Sequence, residues 1–334
     1  MDHRNTRAKP GSSQALIRRS AGGGANLAAV PALYAPTPEA AKRFIEYFAA
    51  NIRNLNTRRA YLHAVREFAN WCAVQGFHEI VDIEPLHVAA YIEQMTARLA
   101  KPSVKQHLAA IRMLFDWLVV GQVITCNPAA PVRGPKYTVK KGKTPVLTQD
   151  EARELLESID VSTVVGLTDR ALIAMMIYTF GRVGAVIKMR IEDYYTQGRR
   201  GWVRMHEKGG KRHEMPCNHD LEAYLDSYIN AGIADDCKGC LFRGMRGKTK
   251  VLTGNPLAQS NVYRMIRRRA TTAGIKTQIG NHTFRATGIT QYLRNGGRRE
   301  LAQQMAAHES PRTTALYDRR DDELAVDEVE RILI

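Results

Sequence analysis

The chain of 334 residues lacks any run approaching the roughly 18 apolar residues that a membrane span needs, and its N-terminus has no apolar signal core. Both absences point to a cytoplasmic protein without a membrane partner. Cysteine is sparse: Cys72, Cys126, Cys217, Cys237 and Cys240 are an odd number scattered along a long chain, which argues against a secreted disulfide framework. Cys217, His219, Cys237 and Cys240 offer one arrangement with zinc-ligand spacing, but a polar loop with a chance Cys pair is the plainer reading, so no metal is expected. Acidic residues are also short, 33 against 49 Lys and Arg, leaving a net charge of +16. With a pI near 9.8, that surplus suits a polyanionic partner, most often nucleic acid. Ribosomal proteins, nucleases and membrane-surface proteins share the same balance, so the motifs must decide among them.

What is present is enough for two packed cores, since 44% of the residues are hydrophobic. Residues 1–34 are rich in Gly, Ser, Ala and basic residues with no apolar period, and read as a flexible basic arm. Thr37-Pro38 then supplies a helix cap followed by Pro, with Ala41, Phe44, Ile45 and Phe48 at helical spacing. Three more stripes follow: Tyr61, Val65, Phe68 and Cys72, ending near Gly76; Val88 to Ile92; and Val104, Leu108, Ile111 and Phe115, ending at Gly121. Residues 35–130 therefore read as a small helical domain, with Arg58, Arg59, Lys105, His107 and Arg112 as candidate phosphate contacts on its polar faces. From 131 to 146 the period vanishes and Pro131, Pro135, Lys136, Lys140, Lys141 and Lys143 accumulate, as in an extended basic linker in which Lys140 and Lys141 are candidate DNA contacts. Thr148 and Glu151 form a capping-box signature opening a second domain, 147–334, that is helical except for a hairpin from Trp202 to Met215 around Gly209-Gly210.

The second domain holds residue types suited to phosphoryl transfer: Arg182, Lys208, His282, Arg285, His308 and Tyr317. In-line attack on a phosphodiester builds negative charge on the non-bridging oxygens, and a site must hold cations there beforehand. Guanidinium groups remain charged and donate two parallel hydrogen bonds to phosphate oxygens, which Lys does not. A side-chain nucleophile must lose a proton and the departing oxygen must gain one, tasks open to Tyr, His and Lys. Lys211 and Arg212 in the hairpin, and Arg267 and Arg268 in a basic run, are further candidate DNA contacts.

The order and spelling of these residues resemble the tyrosine recombinase, or phage integrase, family over residues 37–334. Thr179-Phe180-Gly181-Arg182 followed by Asp193 resembles the family's first Arg box, and His282-Thr283-Phe284-Arg285 its H-x-x-R box. In the segment from His308 to Tyr317 the His precedes the Tyr by nine positions, as in the family's ending. Glu207-Lys208-Gly209-Gly210-Lys211-Arg212-His213, with Pro216 after it, resembles the Lys-bearing β-turn. One departure stands out: the family usually has an acidic residue three positions after the first Arg, where this chain has Ala185.

The resemblance implies a mainly α fold with a small β-sheet, arranged as a two-domain C-shaped clamp of a helical core-binding domain and a catalytic domain. It implies a site-specific recombinase that cuts and rejoins double-stranded DNA at paired half-sites. Tyr317 would be the nucleophile, Arg182 and Arg285 the phosphate clamp, Lys208 the proton donor to the leaving oxygen, and His282 and His308 the assistants. No cofactor is implied. The intermediates would be a 3′-phosphotyrosyl linkage and a Holliday junction, formed by a bacterial, nucleoid-associated homo-tetramer linked through the tail after Tyr317. In that tail Leu324, Val326, Val329, Ile332 and Leu333 are spaced to form one side of a short helix, which would pack either on a neighbouring protomer or on its own domain. A type IB topoisomerase and a catalytically inactive DNA-binding module stay open as alternatives.

Overall fold

The computed structural model describes residues 30–139, 142–207, 210–234, 236, 238–247, 249 and 251–319. The expected arm as far as residue 29, Lys140, Lys141, Lys208, Cys237 and the tail from residue 320 lie outside the described residues. The chain divides into two compact units, Met1–Thr138 and Val139–Ile334.

The N-terminal unit is a helical bundle. Helix α1 (Pro38–Glu46) opens where the Thr37 side chain accepts a hydrogen bond from the Ala40 amide at 3.1 Å, with Pro38 in the first turn, where its missing N–H costs nothing. It runs into a π-helical turn, Tyr47–Asn51. Helix α2 (Leu55–Val74) is capped by Asn54, and α3 (Pro85–Arg98) and α4 (Lys101–Val120) complete the bundle. The apolar stripes at three- and four-residue spacing converge: Phe44, Phe48, Phe68, Tyr91, Ile111 and Phe115 form one buried cluster.

One expected phosphate contact turns inward here, and two are committed to backbone. His107 falls three residues after Val104, on the apolar stripe itself, and is buried with Nδ1 3.1 Å from the Tyr91 hydroxyl. It is part of the core, not of the polar face on which the sequence placed it. Arg112 follows Leu108 by four, so it flanks the same stripe, and its guanidinium donates to the carbonyls of Ala129 and Val132. Arg58 donates to the carbonyls of Ile52, at 2.8 Å from Nη2, and Ala49, closing the otherwise unsatisfied end of the π-helical turn. Arg59 and Lys105 remain exposed.

The C-terminal unit opens with α5 (Gln149–Glu157), where the Thr148 hydroxyl accepts from the Glu151 amide at 3.1 Å and the Glu151 carboxylate accepts from the Thr148 amide at 2.9 Å. Its axis is α6 (Val164–Tyr178), apolar on nearly every side and therefore central to the core. After the short α7 (Val183–Val186) come β1 (Tyr194–Gln197), β2 (Arg200–His206) and β3 (Arg212–Pro216), an antiparallel sheet in that order, with Val203 opposite Met215. Helix α8 (His219–Asn230) packs on α6. A second antiparallel pair, β4 (Arg243–Met245) and β5 (Leu252–Pro256), precedes α9 (Gln259–Thr272), α10 (Thr283–Arg294), α11 (Arg299–Met305) and α12 (Pro311–Ala315). The expectation of a single hairpin missed β1, β4 and β5. These strands are three to five residues long and two of them carry Gly or Pro, so no alternating pattern marks them.

Candidate active site

The first Arg of the site is placed by a tightly determined turn. At the end of α6 the Thr179 hydroxyl donates to the Met175 carbonyl at 2.5 Å and accepts from the Gly181 amide at 3.2 Å. Phe180 then takes a left-handed φ of 52°, uncommon for a bulky side chain. A Cβ on Gly181 would stand 2.6 Å from a Val186 methyl and 2.9 Å from the Thr179 hydroxyl oxygen, which is why glycine is required between Phe180 and Arg182. Arg182 follows as the cap of α7, its side chain 36% exposed.

Arg285 reaches the same place from α10. The approach depends on Gly288, where a Cβ would fall 2.1 Å from the Ile177 carbonyl oxygen, so α10 lies directly against the end of α6. Arg285 is 2% exposed and donates from Nη1 to the Phe180 carbonyl and from Nη2 to the Ala306 carbonyl. Burial, and then the neighbouring Arg182 charge, lower its pKa to about 10, while Tyr317 and Glu207 act in the opposite direction. It stays protonated at neutral pH, and the two carbonyl bonds leave N–H groups of its fork uncommitted.

His308 and Tyr317 come from the last turns of the described chain. The His308 ring is buried, its Nδ1 2.9 Å from the Thr314 hydroxyl, and it stacks on the Tyr317 ring with centroids 5.6 Å apart and planes 13° from parallel. The Tyr317 carbonyl accepts from the Thr290 hydroxyl at 3.0 Å, tying the segment back to α10. Burial, followed by the charges of Arg285 and Arg182, pushes His308 down to about 4, so its ring is neutral at physiological pH. His282, at the cap of α10, is lowered by desolvation and by the same two guanidinium groups. Five of the six expected site residues, Arg182, His282, Arg285, His308 and Tyr317, are thus neighbours; Lys208 lies outside the described residues.

Two residues of the Lys-bearing turn to which the sequence assigned no catalytic role, Glu207 and His213, also lie at this site. The Glu207 carboxylate accepts from Arg182 Nη1 at 2.6 Å and its side chain is 3% exposed. His213 on β3 feels the charges of Glu207 and Arg285, and its buried Nδ1 has no hydrogen-bond partner among the described residues. A signal for Glu207 did exist. Val203 and Met205 mark the inward face of β2, and period two puts residue 207 on that face, where a carboxylate needs a cationic partner. Ala185, three positions after Arg182, is buried in the core.

The other basic candidates are dispersed. Lys211 is exposed and pairs with Glu309 at 2.9 Å, and Arg212 and Arg267 are exposed. Arg268 lies 3.2 Å from Asp169, a buried carboxylate held more closely by Arg269 at 2.7 Å. Cys217 is buried, which raises its thiol pKa to about 12, and among the described residues no group of three or more His, Cys, Asp or Glu is placed to hold a metal ion. No described helix is long and apolar enough to cross a membrane.

The phage integrase family model matches residues 145–323, and the N-terminal SAM-like domain of phage integrases matches residues 41–124. The chain belongs to the phage integrase family. It is accordingly a tyrosine-type site-specific recombinase. The tyrosine recombinase XerD of Staphylococcus aureus is 28% identical over 219 residues, 64% of this chain and 70% of the relative. That of Staphylococcus saprophyticus is 26% identical over 271 residues, 78% and 87% of the two chains. Among solved structures, the XerH site-specific recombinase bound to palindromic difH substrate in a post-cleavage complex aligns with a TM-score of 0.65 at 19% identity, covering 83% of this chain and 79% of that one. A lambda integrase dimer on a COC′ core site gives 0.63 at 19%, covering 81% and 96%. A lambda integrase tetramer on a Holliday junction gives 0.62 at 18%, covering 83% and 75%. At these identities the structural likenesses establish the fold: mainly helical with small antiparallel sheets.

Proposed function

We propose that the recombinase works through a 3′-phosphotyrosyl intermediate in which the Tyr317 hydroxyl oxygen attacks the scissile phosphorus as the P–O5′ bond breaks. The observation that carries this reading is the meeting of Arg182, Arg285, His282, His308 and Tyr317 beside one another from the ends of α6, α10 and α12. Arg182 and Arg285 hold the non-bridging oxygens and offset the charge that develops on them. His308, neutral and stacked on the Tyr317 ring, and His282, beside the two guanidinium groups, hydrogen-bond the phosphate or carry the proton that the phenol loses. Lys208 delivers a proton to the departing 5′ oxygen. The 5′ hydroxyl of the partner strand then attacks the phosphotyrosine, restores the phosphodiester and returns the phenol. The linkage conserves the bond energy, so rejoining uses no nucleotide cofactor, and no step calls for a metal.

Two such exchanges pass through a four-way junction and need four active sites. We assign residues 35–130 to core DNA binding, 131–146 to the linker and 147–334 to catalysis, with a homo-tetramer on DNA linked through the tail after Tyr317. The lambda integrase tetramer on a Holliday junction supports the assembly by analogy. The setting would be the bacterial cytoplasm, at the nucleoid.

The test uses a library of nicked duplexes of randomised sequence, from which covalent protein–DNA adducts are captured under denaturing conditions and sequenced. A 3′-linked adduct present with the wild-type protein and absent with Tyr317→Phe is the expected result; an adduct that survives Tyr317→Phe refutes the assignment. Recombinant products from plasmids bearing two copies of the recovered site separate recombination from simple relaxation of supercoils. Deleting residues 322–334 should abolish the tetramer on DNA, and an unchanged assembly removes the role given to the tail.

A further inference from the structure

Charged groups are seldom enclosed by a protein without a partner, and Glu207 is enclosed almost completely. It stands at the end of β2 on the face that carries Val203 and Met205, and its amide donates to the Lys211 carbonyl at 2.8 Å, closing the hairpin. Its backbone is therefore anchored to a sheet, and its side chain is buried on that sheet's inward face. Arg182 is held differently: the turn through Phe180 and Gly181 fixes its backbone, but a long side chain with several rotatable bonds still has to aim its fork. Among the described residues, the bond to Glu207 is the side-chain hydrogen bond that Arg182 makes. It engages Nη1 alone, leaving Nε and Nη2 of a group that is 36% exposed. The guanidinium is gripped at one corner and open along the rest, the disposition a phosphate clamp needs.

We propose that Glu207 is the positioning residue for Arg182, fixing the orientation of its fork before DNA arrives and tying that orientation to the strand that leads directly into Lys208. The inference rests on the reading of Arg182 as a phosphate clamp. Helix α7 supplies no carboxylate for this purpose, since the side chain at 185 is a buried methyl. Glu207 has a second effect: Arg182 and Arg285 oppose each other's charge, and the Glu207 charge acts against that opposition at Arg285. The carboxylate thus lets two cations share the site while no phosphate is there to hold them together.

Single-turnover cleavage of a nicked duplex recovered from the randomised library, with DNA saturated by protein, measures the role. Glu207→Ala should slow cleavage by about 10², the cost of a reacting group displaced by roughly 1 Å. DNA affinity should stay within about threefold, because a single phosphate contact is a small share of the total. Glu207→Gln retains an oxygen that accepts from Nη1 but gives up the charge that strengthens the bond, and should lose about tenfold. The decisive readout is coupling: in an Arg182→Lys background, which has no fork to orient, Glu207→Gln should cause no further loss. A merely structural carboxylate would reduce cleavage by the same factor in both backgrounds, and that result overturns the proposal, as does wild-type cleavage by Glu207→Gln. If Glu207→Ala does not fold, the Gln and Lys variants decide the matter alone. Absence of any Tyr317-dependent adduct from the wild-type protein would instead sink the reading of the site on which the inference rests.

Discussion

The two units handle polar side chains in opposite ways. Among the described residues the N-terminal bundle buries, besides its tyrosines, one polar side chain, His107, inside a core of Tyr34, Phe44, Phe48, Phe68, Tyr91 and Phe115. The C-terminal unit encloses Asp169, Asp193, Glu207, Arg243, Arg285 and His308, together with a series of threonines. Enclosing a charge is expensive unless it is paired and hydrogen-bonded, so a fold driven by stability alone would avoid it. Several of the enclosed groups are accounted for structurally, as Asp169 is by Arg269 and Arg243 by Asp236. Glu207, Arg285 and His308 differ: Glu207 pairs with the half-exposed Arg182, whose charge also bears on Arg285 and His308, and His308 stacks on Tyr317. The first unit's interior serves cohesion, whereas the second encloses paired charge at the place where Tyr317 meets it.

The sharpest way to break that contrast is to remove the held charge. Arg285→Ala or Arg182→Ala should slow strand cleavage by about 10² to 10³ or more, as for loss of one preorganised donor, with a far smaller effect on DNA affinity. Single-turnover adduct formation beside a binding titration checks it, and wild-type cleavage by either variant would withdraw that residue from the clamp. The counterpart in the other unit is Phe68→Ala. Phe68 is fully buried among Trp71, Tyr91 and Phe115, and its truncation should cost about 3–5 kcal/mol of stability in the N-terminal unit. Chemical denaturation followed by tryptophan fluorescence measures the loss. Adducts formed under conditions where the variant is folded should accumulate at nearly the wild-type rate once DNA is saturating.

The same contrast explains what the sequence disclosed. Helix caps at Thr37 and Thr148, the stripes of the bundle and the hairpin around Gly210 are local signals, set by hydrogen bonds within a turn or by a period of three to four residues. The candidate site residues could be read together through family spelling, since no local rule links Arg182 to Tyr317. What stayed hidden was the partnering of charge. Arg112 looked like surface and is bonded to Ala129 and Val132, residues 17 and 20 positions away. Glu207 looked like one more polar residue in a turn until the phase of β2 put it inward against Arg182, 25 positions earlier. Helical phase alone would have placed His107 in the core.

Acid should expose the enclosed site before it disturbs an ordinary surface. His308 has its folded pKa lowered from about 6.5 to about 4. Between those values the unfolded chain holds a proton that the folded one does not, so stability rises with pH across the window and is lost on acidification. The full window corresponds to about 3 kcal/mol at most. His282 and His213 shift in the same direction and add to the loss. Denaturation curves between pH 4.5 and 7 should therefore be less pH-dependent for His308→Gln than for the wild-type protein; identical slopes would mean that the buried ring carries no such penalty.

The smallest effects belong to residues that either remain free on the bundle surface or have been drawn into its structure. Lys105 and Arg59 are exposed, and if they meet phosphates, each removal should lower the slope of log affinity against log salt by about 1, equally for all DNA sequences. Arg112→Ala should act otherwise: it frees two backbone carbonyls in the segment that follows α4, so stability falls by about 1–3 kcal/mol while the salt slope is nearly unchanged. Salt titrations on non-specific duplex DNA, run beside thermal melting of the same variants, separate the two behaviours. A reduced salt slope for Arg112→Ala at unchanged stability would return that residue to the DNA-facing surface and narrow the difference between the units.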